Sequence, residues 1–208
     1  MGTAIVTYTG KIFDYSNIQP SMICIEDIAH SLALTNRYNG MTRYPYSVAE
    51  HCVRMALCDD LPGHPLAKLL HDAAEAYIGD IVKPFKAGLR YLEHGFEENE
   101  RYYYKIETLE HEIQNAILKA FNIKVKMGQR NEDLDWMWLN SSEVKHSDMA
   151  ILAEECNVLM PDNEISKKEF EKWLAGVTPS KTGLTHWNIY PWLKARTLYY
   201  NTFKELTK

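Results

Sequence analysis

From Ile25 onward, apolar positions recur at three- and four-residue intervals, the spacing of one helix face, whereas the first 20 residues alternate. Ala4, Val6 and Tyr8 alternate with polar neighbours before Gly10 and Pro20, which predicts a short strand or hairpin arm. Glu26-Asp27 opens a first helix that runs through Ile28, Leu32 and Leu34 to about Asn39-Gly40. MTRYPYS reads as a loop. Ser47, with Glu50 three residues on, then forms a capping-box pattern for a helix ending at Pro62-Gly63. His64-Pro65 starts PLAKLLHDAAEAYIG, a helix closed by Gly79 as its C-cap. Residues 81–92 read as loop, residues 93–121 as a long charged helix before a turn at Met127-Gly128, and residues 132–159 as a helix stopped ahead of Pro161. Two more helices, around 164–175 and 190–206, flank the turn-rich GVTPSKTG. No internal repeat or low-complexity tract divides the chain. The pattern predicts one all-α domain over residues 1–208, a helical bundle with a short N-terminal β arm and extra C-terminal helices.

Composition changes little in this picture. The 208 residues, 46% hydrophobic and 25% charged, suffice for one substantial core. A net charge of −5 speaks against a general nucleic-acid binder, which carries a basic stripe, but leaves room for a local basic pocket. No apolar run reaches the length of a membrane span, and the N-terminus lacks the charged-then-apolar layout of a secretory signal. Cys24, Cys52, Cys58 and Cys156 form no CxxC pair, which fits reduced thiols packed in a core and predicts a cytoplasmic protein.

The stretch LLHDAAEAYIGD, residues 69–80, departs from the pattern of a buried helix. His71, Asp72 and Glu75 share one face among Leu69, Leu70, Ala73, Ala74 and Ile78, and Asp80 follows Gly79. Buried carboxylates are costly unless paired, hydrogen-bonded or bound to a metal, and a divalent cation offsets such crowding because imidazole nitrogen and carboxylate oxygen are its natural ligands. Two more ionisable groups stand where apolar residues belong: His51 among Val48, Cys52 and Met55, and Asp148 between Val144 and Ile151. Plainer roles also fit each residue: a satisfied core histidine for His51, a pair with Lys145 or His146 for Asp148, a salt bridge for Glu75, a turn position for Asp80.

The order of these residues, a histidine, His-Asp twenty residues on and a distant aspartate, resembles the HD-domain phosphohydrolase superfamily. NRYNGMTRYPYSVAEH, LLHDAAEAYIGDIVKPFK and VKHSDMAILAEE are similar to the motifs of its bacterial deoxyribonucleoside 5′-monophosphatases and phage dATP triphosphohydrolases, over about residues 25–160. The resemblance implies an HD-domain bundle with residues 162–208 as a helical C-terminal extension. It also implies one divalent transition metal held by His51, His71, Asp72 and Asp148. Glu75 would act as acid/base on water or leaving group, with Asp80 orienting the attacking water. The donor set suits Mn, Fe, Co, Ni or Zn. No spare histidine adjoins His71-Asp72, so a single metal is expected.

Phosphate requires donors, and Arg37, Arg43, Lys83, Lys86 and Lys145 surround the motifs; each lysine equally fits a solvated surface. The resemblance places Arg37 on the substrate's sugar or phosphate, Tyr38 against its base and Pro84 in the pocket wall, although Tyr38 also suits packing. Arg43, Lys83 and Lys86 as partners for β and γ phosphates favour a dNTP triphosphohydrolase releasing deoxynucleoside and triphosphate, adenine being the base the resemblance points to. A 5′-monophosphatase is the alternative, followed by an enzyme of signalling nucleotides and by a nucleotide sensor without turnover; Glu75 and Asp80 speak against the sensor. Thirteen tyrosines and five tryptophans, among them Trp173, Trp187 and Trp192, fit either a subunit surface, hence a homo-oligomer, or a larger core.

Overall fold

The computed structural model describes residues 2–93, 100–123 and 138–208. Ala4–Val6 (β1) and Ile12–Asp14 (β2) form an antiparallel hairpin in which Ala4 faces Asp14, as the alternation predicts. The rest is mostly helical: Ile25–Leu34 (α1), Val48–Leu57 (α2), Pro65–Leu70 (α3), Glu75–Ile78 (α4), Lys83–Glu93 (α5), Glu100–Ala120 (α6), Ser142–Leu159 (α7), Glu164–Trp173 (α8) and Trp192–Leu206 (α9).

Several boundaries differ from the sequence expectation, each for a local reason. α1 ends at Leu34, where the backbone turns extended at Thr35 (ψ 115°). Residues 35–37 then pair like a strand with residues 46–48, through Val48 N to Thr35 O at 3.0 Å and Arg37 N to Tyr46 O at 2.9 Å. α2 stops at Leu57, since the carbonyls of Cys58 and Leu61 turn toward the buried Lys68 ammonium, 2.9 Å from each. Only half of the capping box forms: Ser47 accepts from Glu50 N at 3.1 Å, while the Glu50 carboxylate accepts from Arg54 and from Tyr190 N.

The predicted helix over residues 65–79 is two helices. Side-chain donors claim its middle carbonyls: His71 Nδ1 bonds Lys68 O at 2.8 Å, Tyr199 Oη bonds Leu69 O at 3.0 Å, and Gln114 Nε2 bonds His71 O at 3.1 Å. The ladder therefore tightens to three-residue bonds, Ala73 N to Leu70 O and Glu75 N to Asp72 O, each 3.0 Å. Gly79 ends α4 at a φ of +81°, a conformation that disfavours a side chain.

Residues 83–93, expected as loop, form helix α5 instead. α7 begins at Ser142 because the Ser141 hydroxyl caps it, accepting from Val144 N at 3.3 Å. Residues 94–99 and 124–137, with the expected turn at Met127-Gly128, lie outside the described residues.

One core joins the helices. Ile28 and Leu32 of α1, Met55 of α2, Leu69 and Leu70 of α3, Ile113 and Ile117 of α6, Ile151 of α7 and Tyr199 of α9 are fully buried in it. The last helix thus belongs to the same core as the motif-bearing helices; Ala195, Tyr199 and Phe203 reach into it, and Phe203 packs on Phe121 with ring centroids 4.6 Å apart. Trp138 packs partly buried against that core, whereas Trp173 and Trp192 are exposed and Trp187 is 87% exposed. No helix among the described residues is long and apolar enough to cross a membrane.

Large-to-small changes at such aromatic positions cost about 3–5 kcal/mol. Phe203→Ala is expected to destabilise by that amount, read in urea as a lower midpoint with an unchanged slope. A loss below about 1 kcal/mol would detach α9 from the core.

Candidate metal centre

Four elements deliver the central side chains. His51 lies midway along α2, whose residues from Val48 to Ala56 are all buried, so its imidazole has no route to solvent. His71 and Asp72 occupy the tightened turn between α3 and α4. Asp148 and, seven residues on, Glu155 lie on one face of α7. Arg37 and Tyr38 enter from the 3₁₀ turn Arg37–Gly40, where Tyr38 and Asn39 take left-handed backbone angles of φ 57° and 51°. Strained conformations of that kind persist only where the surroundings enforce them. Here Tyr38 N donates to Asp80 Oδ2 at 3.0 Å and the Tyr38 hydroxyl donates to Glu155 Oε2 at 2.5 Å.

Acceptor atoms converge at the centre. His51 Nε2 lies 3.3 Å from His71 Nε2, 3.7 Å from Asp72 Oδ2 and 3.5 Å from Asp148 Oδ1. His71 Nε2 lies 3.1 Å from Asp72 Oδ2 and 4.0 Å from Asp148 Oδ1. The far nitrogens fix the tautomers. His71 Nδ1 faces the Lys68 carbonyl, which only accepts, and His51 Nδ1 faces Glu155 Oε1 at 2.7 Å. Each Nδ1 therefore carries a proton, and the two Nε2 atoms meet among carboxylate oxygens; although burial opposes it, Asp72 and Cys52 push the His71 imidazole well up, toward an added proton at Nε2. That arrangement is repulsive without a cation or an extra proton between the rings. Ligand atoms about 2.1 Å from one ion stand about 3.0–3.4 Å apart, close to the spacings here. His51, His71 and Asp72 form a group able to hold a metal ion, and the Asp148 oxygen faces the same two nitrogens.

Charge is distributed around this centre by burial and pairing. Burial opposes ionisation of Asp72 and Asp148. The His71 pairing holds Asp72, and the nearby His51 ring with the Lys83 charge holds Asp148, well below the usual carboxylate range. Glu75 goes the other way: burial, reinforced by Asp72 and Asp80, pushes its carboxyl well up, and its buried Oε2 has no hydrogen-bond partner among the described residues. Burial also raises Asp80. Arg37 is the buried fixed cation, 3.3 Å from Asp72 Oδ2, 3.9 Å from Asp148 Oδ1 and 3.2 Å from Glu155 Oε2.

The structure thus brings together His51, His71, Asp72, Asp148, Arg37 and Lys83, whose largely exposed ammonium reaches Asp148 Oδ2 at 3.2 Å. Glu75 and Asp80 border them through their charges. Asp148 pairs with neither Lys145 nor His146, both exposed on α7. Other candidates are engaged differently. Arg43 is exposed and bonds the Val158 carbonyl at 2.8 Å, Lys86 pairs with Glu110 across α5 and α6, and Pro84 is exposed in the first turn of α5. Tyr38 commits its hydroxyl to Glu155, its ring 5.2 Å from the Arg37 guanidinium. Glu155, fully buried, escapes the sequence reading. Its signal is the one that flagged Asp148: an acidic residue at an apolar address, two helical turns further along the same face.

No protein-family profile matches the chain. It is 44% identical over 92 residues to an uncharacterized protein of Rhodobacter capsulatus, covering 39% of this chain and 45% of that protein. It is 44% identical over 84 residues to the uncharacterized protein YfdR of Escherichia coli, covering 39% of this chain and 46% of that protein. The matched part of the chain thus spans less than half the length of these curated relatives.

A ligand that binds the folded state alone stabilises it by about 2.7 kcal/mol at one hundred times its Kd. Chelator-treated protein is therefore expected to gain melting temperature when Mn²⁺, Co²⁺ or Zn²⁺ is added, and His71→Ala to lose that gain. An equal gain in the variant, followed by differential scanning fluorimetry, would place the ion elsewhere.

Proposed function

We propose that this chain is an HD-type, metal-dependent phosphohydrolase of deoxyribonucleotides, with a divalent transition metal held by His51, His71, Asp72 and Asp148. The observation that carries the reading is the convergence of two Nε2 atoms and two carboxylate oxygens at ligand spacing, with both Nδ1 atoms anchored elsewhere. Such a metal supplies Lewis acidity toward water and toward a phosphoryl oxygen. The chain's own residues do the rest. Arg37 offers a planar fork, already beside the centre, to the phosphate oxygens. Lys83 brings a second, exposed cation to the same edge. Glu75, which retains a proton through burial, gives it to the departing 5′ oxygen as the P–O5′ bond breaks and water oxygen joins phosphorus. Asp80 holds the Tyr38 turn and, with its remaining oxygen, orients the water.

Monophosphate and triphosphate substrates share this bond cleavage. The triphosphate reading relied on Arg43, Lys83 and Lys86 for the outer phosphates. Arg43 is bonded to Val158 O and Lys86 to Glu110, so of these three Lys83 alone faces the centre. That favours a 5′-monophosphatase, with the dNTP triphosphohydrolase as the second reading. A homo-oligomer also belongs to the proposal, supported by the exposed Trp173, Trp187 and Trp192.

Chromatography of products from a panel of dNMPs and dNTPs with Mn²⁺ or Co²⁺ separates these readings. Deoxynucleoside plus inorganic phosphate is expected from monophosphates; deoxynucleoside plus triphosphate would establish the second reading. Glu75→Gln is expected to lower kcat by about 10²–10⁴-fold while keeping Co²⁺ affinity. Full turnover in that variant would remove Glu75 from proton transfer, and no turnover of any nucleotide by metal-loaded wild type would end the proposal.

A further inference from the structure

Glu155 has no part in the mechanism above, yet it is fully buried and touches three of the site's side chains, on two other elements, at once. Its Oε1 accepts from His51 Nδ1 at 2.7 Å, while Oε2 takes Arg37 Nε at 3.2 Å and the Tyr38 hydroxyl at 2.5 Å. A carboxylate serves these contacts in a way the neutral acid does not, because all three partners donate to it. The tyrosine and arginine it grips belong to the turn whose backbone is left-handed at Tyr38 and Asn39.

We infer that Glu155 is a positioning residue with two loads: it fixes the tautomer and aim of His51 toward a metal, and it clamps the Arg37–Gly40 turn so that the Arg37 fork faces the phosphate position. The inference rests on the metal reading proposed above. Partners of that kind behind a metal-bound histidine typically change affinity by about 10–100-fold when removed. Glu155→Gln keeps the volume and an acceptor for His51 Nδ1–H but removes the charge. Glu155→Ala removes both.

The test measures Co²⁺ affinity by calorimetry, the visible Co²⁺ spectrum, and binding of inorganic phosphate to Co²⁺-saturated protein. Circular dichroism checks that each variant folds. Glu155→Gln is expected to lose about 10-fold in Co²⁺ affinity, shift the spectrum, and weaken phosphate binding even when saturated with metal. Unchanged Co²⁺ affinity and spectrum in folded variants would overturn the first load. Unchanged phosphate binding at saturation would overturn the second. An independent check needs no variant. In ¹⁵N-histidine spectra of the wild type, His51 is expected to carry a proton on Nδ1, strongly downfield, both in the metal-free protein and after diamagnetic Zn²⁺ is added. A His51 Nδ1 without a proton in either state would overturn the inference directly. If the wild type takes up no Co²⁺ or Zn²⁺, the metal reading fails and this one with it.

Discussion

Burying several carboxylates in one small volume is the constraint that the helical frame has to meet. Asp72, Asp148 and Glu155 sit within reach of one guanidinium and two imidazoles, and each would be costly to desolvate alone. Every one of them is compensated by a partner from a different element: Arg37 from the turn after α1, His51 from α2, Lys83 from the start of α5. The helices therefore cannot shift independently. A displacement of α7 by one residue would separate two acidic groups from their partners together.

The tightened turn between α3 and α4 shows how the frame is bent to this purpose. A regular helix over residues 65–79 would use the carbonyls of Lys68 and Leu69 for its own ladder. Instead the first anchors His71 Nδ1 and the second takes the Tyr199 hydroxyl from α9. Three-residue bonding follows, and it stacks Asp72 and Glu75 on one edge. Burial raises Glu75, and the neighbouring charge of Asp72, brought close by this turn, adds to the shift.

Much of this was legible in the chain because the signals are local. Apolar periodicity marked α1, α2, α8 and α9 within a few residues. Misplaced ionisable residues marked His51, His71, Asp72 and Asp148. What failed was set by contacts distant in sequence. The break at His71 depends on Gln114 and Tyr199, and no pattern within residues 65–79 announces it. Helix α5 was hidden by Pro84, which is tolerated in a first helical turn. Glu155 was masked by its neighbours: in LAEECN the adjacent Glu154 faces residues 180–184, binding Ser180, Thr182 and Leu184, so the pair reads as an ordinary charged surface. Tyr38 looked like a flat face for a base, and its hydroxyl turned out to matter to Glu155.

Two buried ionic networks share helix α2, and the contrast between them separates frame from function. Glu50 and Arg54 are closed on each other, on Tyr190 N and on Asn188, so both Glu50 oxygens have partners and the C-terminal segment is fastened to α2. One residue further along, His51 belongs to a network that sets two Nε2 atoms 3.3 Å apart and borders a buried Glu75 oxygen without a donor among the described residues. Burying a polar group unsatisfied costs about 1–3 kcal/mol. Buried atoms away from the cluster, among them the Tyr46 hydroxyl and the Asn115 amide oxygen, carry the same deficit among the described residues. What sets the cluster apart is the approach of two imidazoles to two carboxylates, between 3.1 and 4.0 Å, on helices whose positions the closed Glu50–Arg54 network helps to fix.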